Sequence, residues 1–123
     1  MRFRQVHLDF HTSEAIPGIG THFDKNQFQA MLKRGHVDSI TLFSKCHHGW
    51  AYHPSEANEI HPGLEFDLLQ NMIEAAHEID VLTPVYLSAG LDEKLALRHP
   101  EWLIRDKDDN TNWVQGFMKP GYH

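Results

Sequence analysis

With 123 residues, of which 41% are hydrophobic and 23% charged, the chain is long enough for one folded domain with a core and too short for two. A formal net charge of -6 and the absence of any basic run argue against nucleic acid as the main partner. The single cysteine, Cys46, excludes an internal disulfide, and no apolar stretch approaches the roughly 20 residues of a membrane span. We therefore expect a cytoplasmic protein that does not associate with membranes.

The first predicted element is a strand over residues 6–12. Its alternation separates three apolar side chains from three polar ones, namely Val6, Leu8 and Phe10 on one face and His7, Asp9 and His11 on the other. A Pro- and Gly-containing loop over residues 13–22 follows it.

The rest of the chain alternates helices with strands. Asp24 and Gln27 form a capping-box pattern that starts a helix, and Gly35 is expected to end it. The next elements are a strand over residues 37–45, a long loop over 46–58, a helix over 65–79 and a strand over 81–88. Asp92 is expected to cap a short helix that Pro100 ends.

This order predicts parallel βαβ units, and two architectures compete for them. A doubly wound sheet usually carries a glycine-rich loop directly after its first strand, and this chain has none there. A (β/α)₈ barrel gathers polar groups where its strands end, as His11, residues 45–48 and Tyr86 do here. We predict an α/β fold consisting of the first three βα units of such a barrel. Because a barrel needs about 250 residues, residues 1–123 are expected to be the incomplete N-terminal part of a catalytic domain.

The polar face of the first strand has two interpretations. His7 and Asp9 are typical of a hydrogen-bonded polar layer inside a barrel, whereas His11, at the strand end, is better placed to meet a ligand. A metal site formed by His7, His11 and His47 is the alternative, since amidohydrolases and PHP-type phosphoesterases carry a His-x-His pair on their first strand. The spacing here is His-x-x-x-His.

The second cluster lies in residues 44–55, SKCHHGWAYHPS. Lys45, His47, His48 and Trp50 combine hydrogen-bonding groups with an aromatic face, which is the mixture that sugar recognition needs. The alternative is a packed loop in which Trp50 and Tyr52 close the barrel mouth. Cys46 is interpreted as inert, because no acid or oxyanion framework surrounds it in the sequence.

These segments resemble known glycosidases. Residues 42–55 are similar to the K-H-H-[DE]-G-F-x-L-W-P-S segment of α-L-fucosidases, and Phe10-His11 resembles the F-x-I-H-W-G strand of that family. Residues 3–24 and 88–106 resemble a group of uncharacterised glycosyl hydrolases with fucosidase-like barrels, often followed by a β-galactosidase-type trimerisation domain. The resemblance implies that two histidines of the second segment, the histidine of the first strand and Tyr86 contact the sugar.

The second segment departs from the fucosidase motif. In an ungapped alignment Lys45 and His47 match the motif, whereas Cys46 replaces its first histidine and His48 its acid. Either the histidine pair has shifted by one position or one contact is lost, so fucose specificity does not carry over.

We therefore predict a fragment of a glycoside hydrolase, similar to α-L-fucosidases, that acts on O-glycosidic bonds without a metal or cofactor. The predicted substrate-binding residues are His11, Glu14, Lys45, His47, His48, Trp50 and Tyr86. The nucleophile is expected beyond His123, so the isolated chain should be inactive. A metal-dependent hydrolase and a non-catalytic carbohydrate-binding barrel are the alternatives, and a homo-oligomer of the full-length protein is left open.

Overall fold

A computed structural model describes residues 2–110. Its elements are β1 (Gln5–His7), α1 (Lys25–Arg34), β2 (Ser39–Lys45), α2 (Leu68–His77), β3 (Val85–Leu87), α3 (Glu93–Arg98) and a 3₁₀ turn (Pro100–Trp102). The strands form a parallel sheet in the order β1-β2-β3, which confirms the predicted α/β alternation. Within residues 2–110, no helix is long and apolar enough to cross a membrane.

The strands are shorter than the sequence pattern predicted. The strand expected over residues 6–12 pairs only through Gln5–His7, and the one expected over 81–88 only through Val85–Leu87. A strand needs a partner backbone, and both edge strands pair only with segments of β2. The central strand β2 comes close to the expected 37–45.

Local capping fixes where the helices begin. The Asp24 carboxylate accepts a hydrogen bond from the Gln27 backbone N–H at 2.7 Å, and Gly35 follows the last turn, as predicted. The helix predicted over residues 65–79 begins later, at Leu68, because Asp67 caps it through the N–H of Gln70. Asp92 caps α3 through the N–H of Leu95, also as predicted.

The core lies around β2. Ile40, Leu42 and Phe43 are fully buried, and α2 packs against this strand while also contacting α1. Strand alternation puts Ile40 and Leu42 on one face of the sheet and Phe43 on the other. Phe43 is paired in register with Tyr86 of β3. The face that carries Phe43 and Tyr86 is the one that positions the candidate site.

Candidate functional site

The rings of His11 and His47 contact each other beyond the ends of β1 and β2. Their rings stack with centroids 3.9 Å apart and planes inclined by 23°. The backbone N–H of His47 donates to Nδ1 of His11 at 3.3 Å, which fixes the orientation of the His11 ring. Two predicted site residues, one following β1 and the other following β2, are thus brought together at the carboxyl end of the sheet, which we call the rim.

The rings of Phe43 and Tyr86 pack against this pair. His11 lies edge-on to Phe43 and to Tyr86, with centroid distances of 5.0 and 6.2 Å. His7 contacts the same two rings at 5.3 and 6.1 Å, so His7 and His11 share a face of the sheet as the alternation predicted. Tyr86, another predicted site residue, therefore lies next to His11.

The surroundings favour neutral imidazoles at this rim. Burial lowers the pKa of His11 below its ordinary value of 6.5, an effect that the nearby Asp9 carboxylate partly opposes. Burial, together with His11 and His48, also lowers the pKa of His47. A neutral imidazole carries one donor and one acceptor nitrogen, which suits it to hydrogen-bond a hydroxyl group.

His48 lies beside this pair but is held by a different element. Its ring centroid is 4.5 Å from that of His47, and its Nδ1 is 2.7 Å from Oε2 of Glu93, the first residue of α3. Only 4% of the His48 side chain is exposed. The sequence indicated Glu93 only as a helix-start residue and gave no sign of this contact.

Lys45 points into a buried ion pair. Its Nζ lies 2.6 Å from Oδ2 of Asp92, and both side chains are almost fully buried. Asp92 therefore caps α3 with one oxygen and holds Lys45 with the other. The ammonium of Lys45, which was predicted to contact the substrate, is thus directed to the start of α3 and is buried there.

Trp50 and Glu14 line a cleft next to His48. The indole Nε1 of Trp50 donates to Oε2 of Glu14 at 3.4 Å, and Nζ of Lys94 lies 3.3 Å from the indole centroid. The cleft has a volume of about 320 Å³ and is lined by Ser13, Glu14, His48, Trp50, Glu93, Lys94, Leu97 and Arg98. Sequence reasoning found three of these residues as site residues and missed the contribution of α3.

The rest of the long loop packs in the interior. Tyr52 is fully buried, and its hydroxyl contacts Thr12 Oγ1 at 2.6 Å, in agreement with the packed-loop interpretation for this residue. Cys46 is fully buried as well. His61, which the sequence did not single out, is buried with its ring between the Ser13 carbonyl and the Gly63 N–H.

The geometry does not support the metal alternative formed by His7, His11 and His47. In the part of the chain that the structure describes, no three His, Cys, Asp or Glu side chains are arranged to hold a metal ion. The rings of His11 and His47 stack face to face, whereas ligands of one ion point their ring nitrogens at a common centre.

Comparison with known proteins agrees with the resemblance read from the sequence. The family described as Hypothetical glycosyl hydrolase 6 matches residues 24–123. The chain belongs to this glycosyl hydrolase family. Its sequence is 67% identical to the solved structure of alpha-L-fucosidase isoenzyme 2 from Paenibacillus thiaminolyticus, with a TM-score of 0.92 over 100% of this chain. No curated protein matches it.

The chain spans 19% of the length of that fucosidase chain. The predicted relation to glycosyl hydrolases of the fucosidase type is confirmed, and the α/β fold with a three-stranded parallel sheet is confirmed as well.

Proposed function

We propose that residues 1–123 form the N-terminal part of the (β/α)₈ catalytic barrel of a glycoside hydrolase that acts on α-L-fucoside-like O-glycosidic bonds. Family membership and 67% identity to a fucosidase support the reaction class. The three parallel strands, each followed by a helix, support the barrel, whose active site lies where the strands end. The chain would contribute one wall of the sugar site.

The observation that carries this proposal is the stacked His11–His47 pair beside Tyr86. The two imidazoles, which have lowered pKa values, follow β1 and β2, and the phenol belongs to the neighbouring strand β3. Imidazole, phenol and carboxylate groups hydrogen-bond the hydroxyl groups of a sugar, and the Asp9 carboxylate, 3.0 Å from Nε2 of His11, lies beside them. Convergence of such groups from separate strands is the arrangement that barrel enzymes use to bind substrate.

The remaining predicted residues have different roles in this proposal. His48 and Glu14 bind hydroxyl groups in the cleft. Trp50 lines the same cleft, and the Lys94 ammonium covers one face of its indole. Lys45 holds the start of α3 through Asp92, since its ammonium is buried in that ion pair.

The catalytic carboxylates would come from elsewhere in a longer protein. A glycosidase normally needs two carboxylates flanking the scissile bond. Asp9, the acid beside the stacked pair, lies 3.0 Å from Nε2 of His11. Asp92 is buried on Lys45, and Glu93 is bound to His48. We therefore propose that the nucleophile lies beyond His123 and that the 123-residue chain alone does not hydrolyse glycosides.

The decisive experiment compares His11→Ala with His99→Ala in a longer protein that contains this chain, using 4-nitrophenyl α-L-fucoside. His99 precedes the 3₁₀ turn, where its ring stacks on Trp102 and contacts Glu101, so its replacement is the matched control. Loss of one hydrogen bond to the sugar should lower kcat/KM about tenfold to a hundredfold in H11A and leave H99A unchanged.

Three results would count against the proposal. Equal activity of H11A and wild type would remove His11 from the site. Turnover by the 123-residue chain alone would show that the nucleophile lies within it. Sugar binding without hydrolysis of any nitrophenyl glycoside by the longer protein would favour a non-catalytic carbohydrate-binding barrel.

A further inference from the structure

Glu93 forms two hydrogen bonds with the loop that follows β2. Its side-chain Oε2 lies 2.7 Å from Nδ1 of His48, and its backbone N–H donates to the carbonyl of His47 at 2.8 Å. The two segments are 45 residues apart in the sequence, so docking of α3 alone brings them together. The His48 side chain is nearly buried, which leaves its ring little freedom to turn.

We propose that Glu93 is a positioning residue that fixes the tautomer of His48 and presents the Nε2 lone pair to a sugar hydroxyl. A carboxylate only accepts hydrogen bonds, so Nδ1 must be the donor in this contact. In the neutral ring, Nε2 is then the acceptor, because the hydrogen bond made by one ring nitrogen decides which one carries the proton. This inference rests on the proposed sugar site and names one specific contact within it.

Contacts of Asp92 with Lys45 and with the backbone at Gly49 fix the position of the start of α3. Asp92, the residue before Glu93, is buried and held by Lys45 at 2.6 Å. Gly49, the residue after His48, has φ +91°, and a Cβ there would lie 2.7 Å from Oδ1 of Asp92. The backbones that carry His48 and Glu93 are therefore packed against each other, and the carboxylate stays in register with the imidazole.

The fixed tautomer has a consequence for specificity. His48 lines the 320 Å³ cleft, and with Nδ1 engaged by Glu93 the ring nitrogen left for a ligand is Nε2. An acceptor at this point selects a group that donates, such as a sugar hydroxyl, and disfavours a carbonyl or carboxylate oxygen. A methyl ether at that hydroxyl would lose the hydrogen bond.

The tautomer can be measured directly by long-range ¹H–¹⁵N NMR on a longer protein that contains this chain, labelled with ¹⁵N-histidine. In the wild type we expect the Nδ1–H pattern for His48. In Glu93→Ala the acceptor is gone, and the ring should shift towards the Nε2–H form that histidine favours in water. Glu101→Ala removes a carboxylate that contacts His99 instead, so it should leave His48 unchanged.

The wild-type spectrum alone shows which ring nitrogen of His48 carries the proton, even if E93A fails to fold. A neutral His48 in the Nε2–H form in the wild type would overturn the proposal, as would an unchanged tautomer in a folded E93A. In the same protein, E93A should lower kcat/KM about tenfold or more, as expected for loss of an ordered hydrogen bond, with E101A unchanged. An inactive wild type would refute the proposed hydrolase while leaving the tautomer result valid.

Discussion

The ammonium of Lys45 lies 2.6 Å from Oδ2 of Asp92, and each side chain is 8% exposed. This contact joins the last residue of β2 to the residue that caps α3. A buried charge is tolerated only with a partner, so each side chain depends on the other. The pair therefore connects the strand that carries the rim to the helix that carries Glu93.

We expect Lys45→Met to destabilise the protein by about 3–5 kcal/mol, because it leaves the Asp92 carboxylate buried without its counter-charge. Urea denaturation followed by circular dichroism gives the free energy of unfolding. Lys107→Met is the matched control, since Lys107 pairs with Asp108 on the surface and should change stability by no more than about 0.5 kcal/mol. Similar values for the two variants would contradict the importance of the buried pair.

Gly49 provides a second test of the same contact region. Replacement by Ala would force a side chain into φ +91° and place its Cβ 2.7 Å from Asp92 Oδ1 and 2.9 Å from Lys94 Cβ. We expect Gly49→Ala to lower the free energy of unfolding by at least about 1–3 kcal/mol. Gly90→Ala is the control, because a Cβ at Gly90 meets nothing within 4 Å.

If G49A were as stable as G90A, the loop after β2 would not pack against the start of α3 as described. Heat or urea denaturation of both variants, measured side by side, gives the comparison without any need for activity.

The lowered pKa values of His11 and His47 lead us to expect that the free energy of unfolding depends on pH. Burial holds the pKa values of His11 and His47 below 6.5, so the unfolded chain takes up protons at a higher pH than the folded protein does. As the pH falls below about 6.5, the free energy of unfolding should therefore fall. Measurement between pH 7 and 5.5 avoids most of the carboxylate titration.

The double variant His11→Asn/His47→Asn should lose part of this slope, because the two groups that resist protonation are gone. A slope equal to that of the wild type would assign the pH dependence to other groups. Comparison at pH 8, where the imidazoles are neutral in both states, separates the pH effect from any loss of packing.

Local signals in the sequence located the helices better than the strands. Asp24 and Asp92 were predicted as caps and are caps, because a capping contact spans only three residues. The pattern of Asp67 followed by Gln70 is the same kind of signal and would have corrected the predicted start of α2. Strand ends depend on a partner backbone, so alternation over residues 6–12 overestimated β1.

The candidate site was predicted as a set of residues near strand ends, and its contacts were not predicted. The meeting of His11 and His47 followed from parallel strands ending at one rim. The partners on α3 did not follow, because Asp92 and Glu93 read as ordinary helix-start residues until the helix docks. Lys94 over the Trp50 ring was missed for the same reason.

The buried hydroxyl of Tyr52 offers a test of how the His11 segment is held. It lies 2.6 Å from Thr12 Oγ1, accepts the Thr12 N–H at 3.2 Å and donates to the Phe10 carbonyl at 3.3 Å. Tyr52→Phe keeps the ring but leaves these partners unsatisfied, so the free energy of unfolding should fall by about 1–3 kcal/mol. Thr21→Val, which removes an exposed hydroxyl, should cost no more than about 0.5 kcal/mol. Because Phe10 and Thr12 flank His11, Y52F should also shift the His11 ring signals in an NMR spectrum, and unchanged signals would show that the phenol does not position the rim.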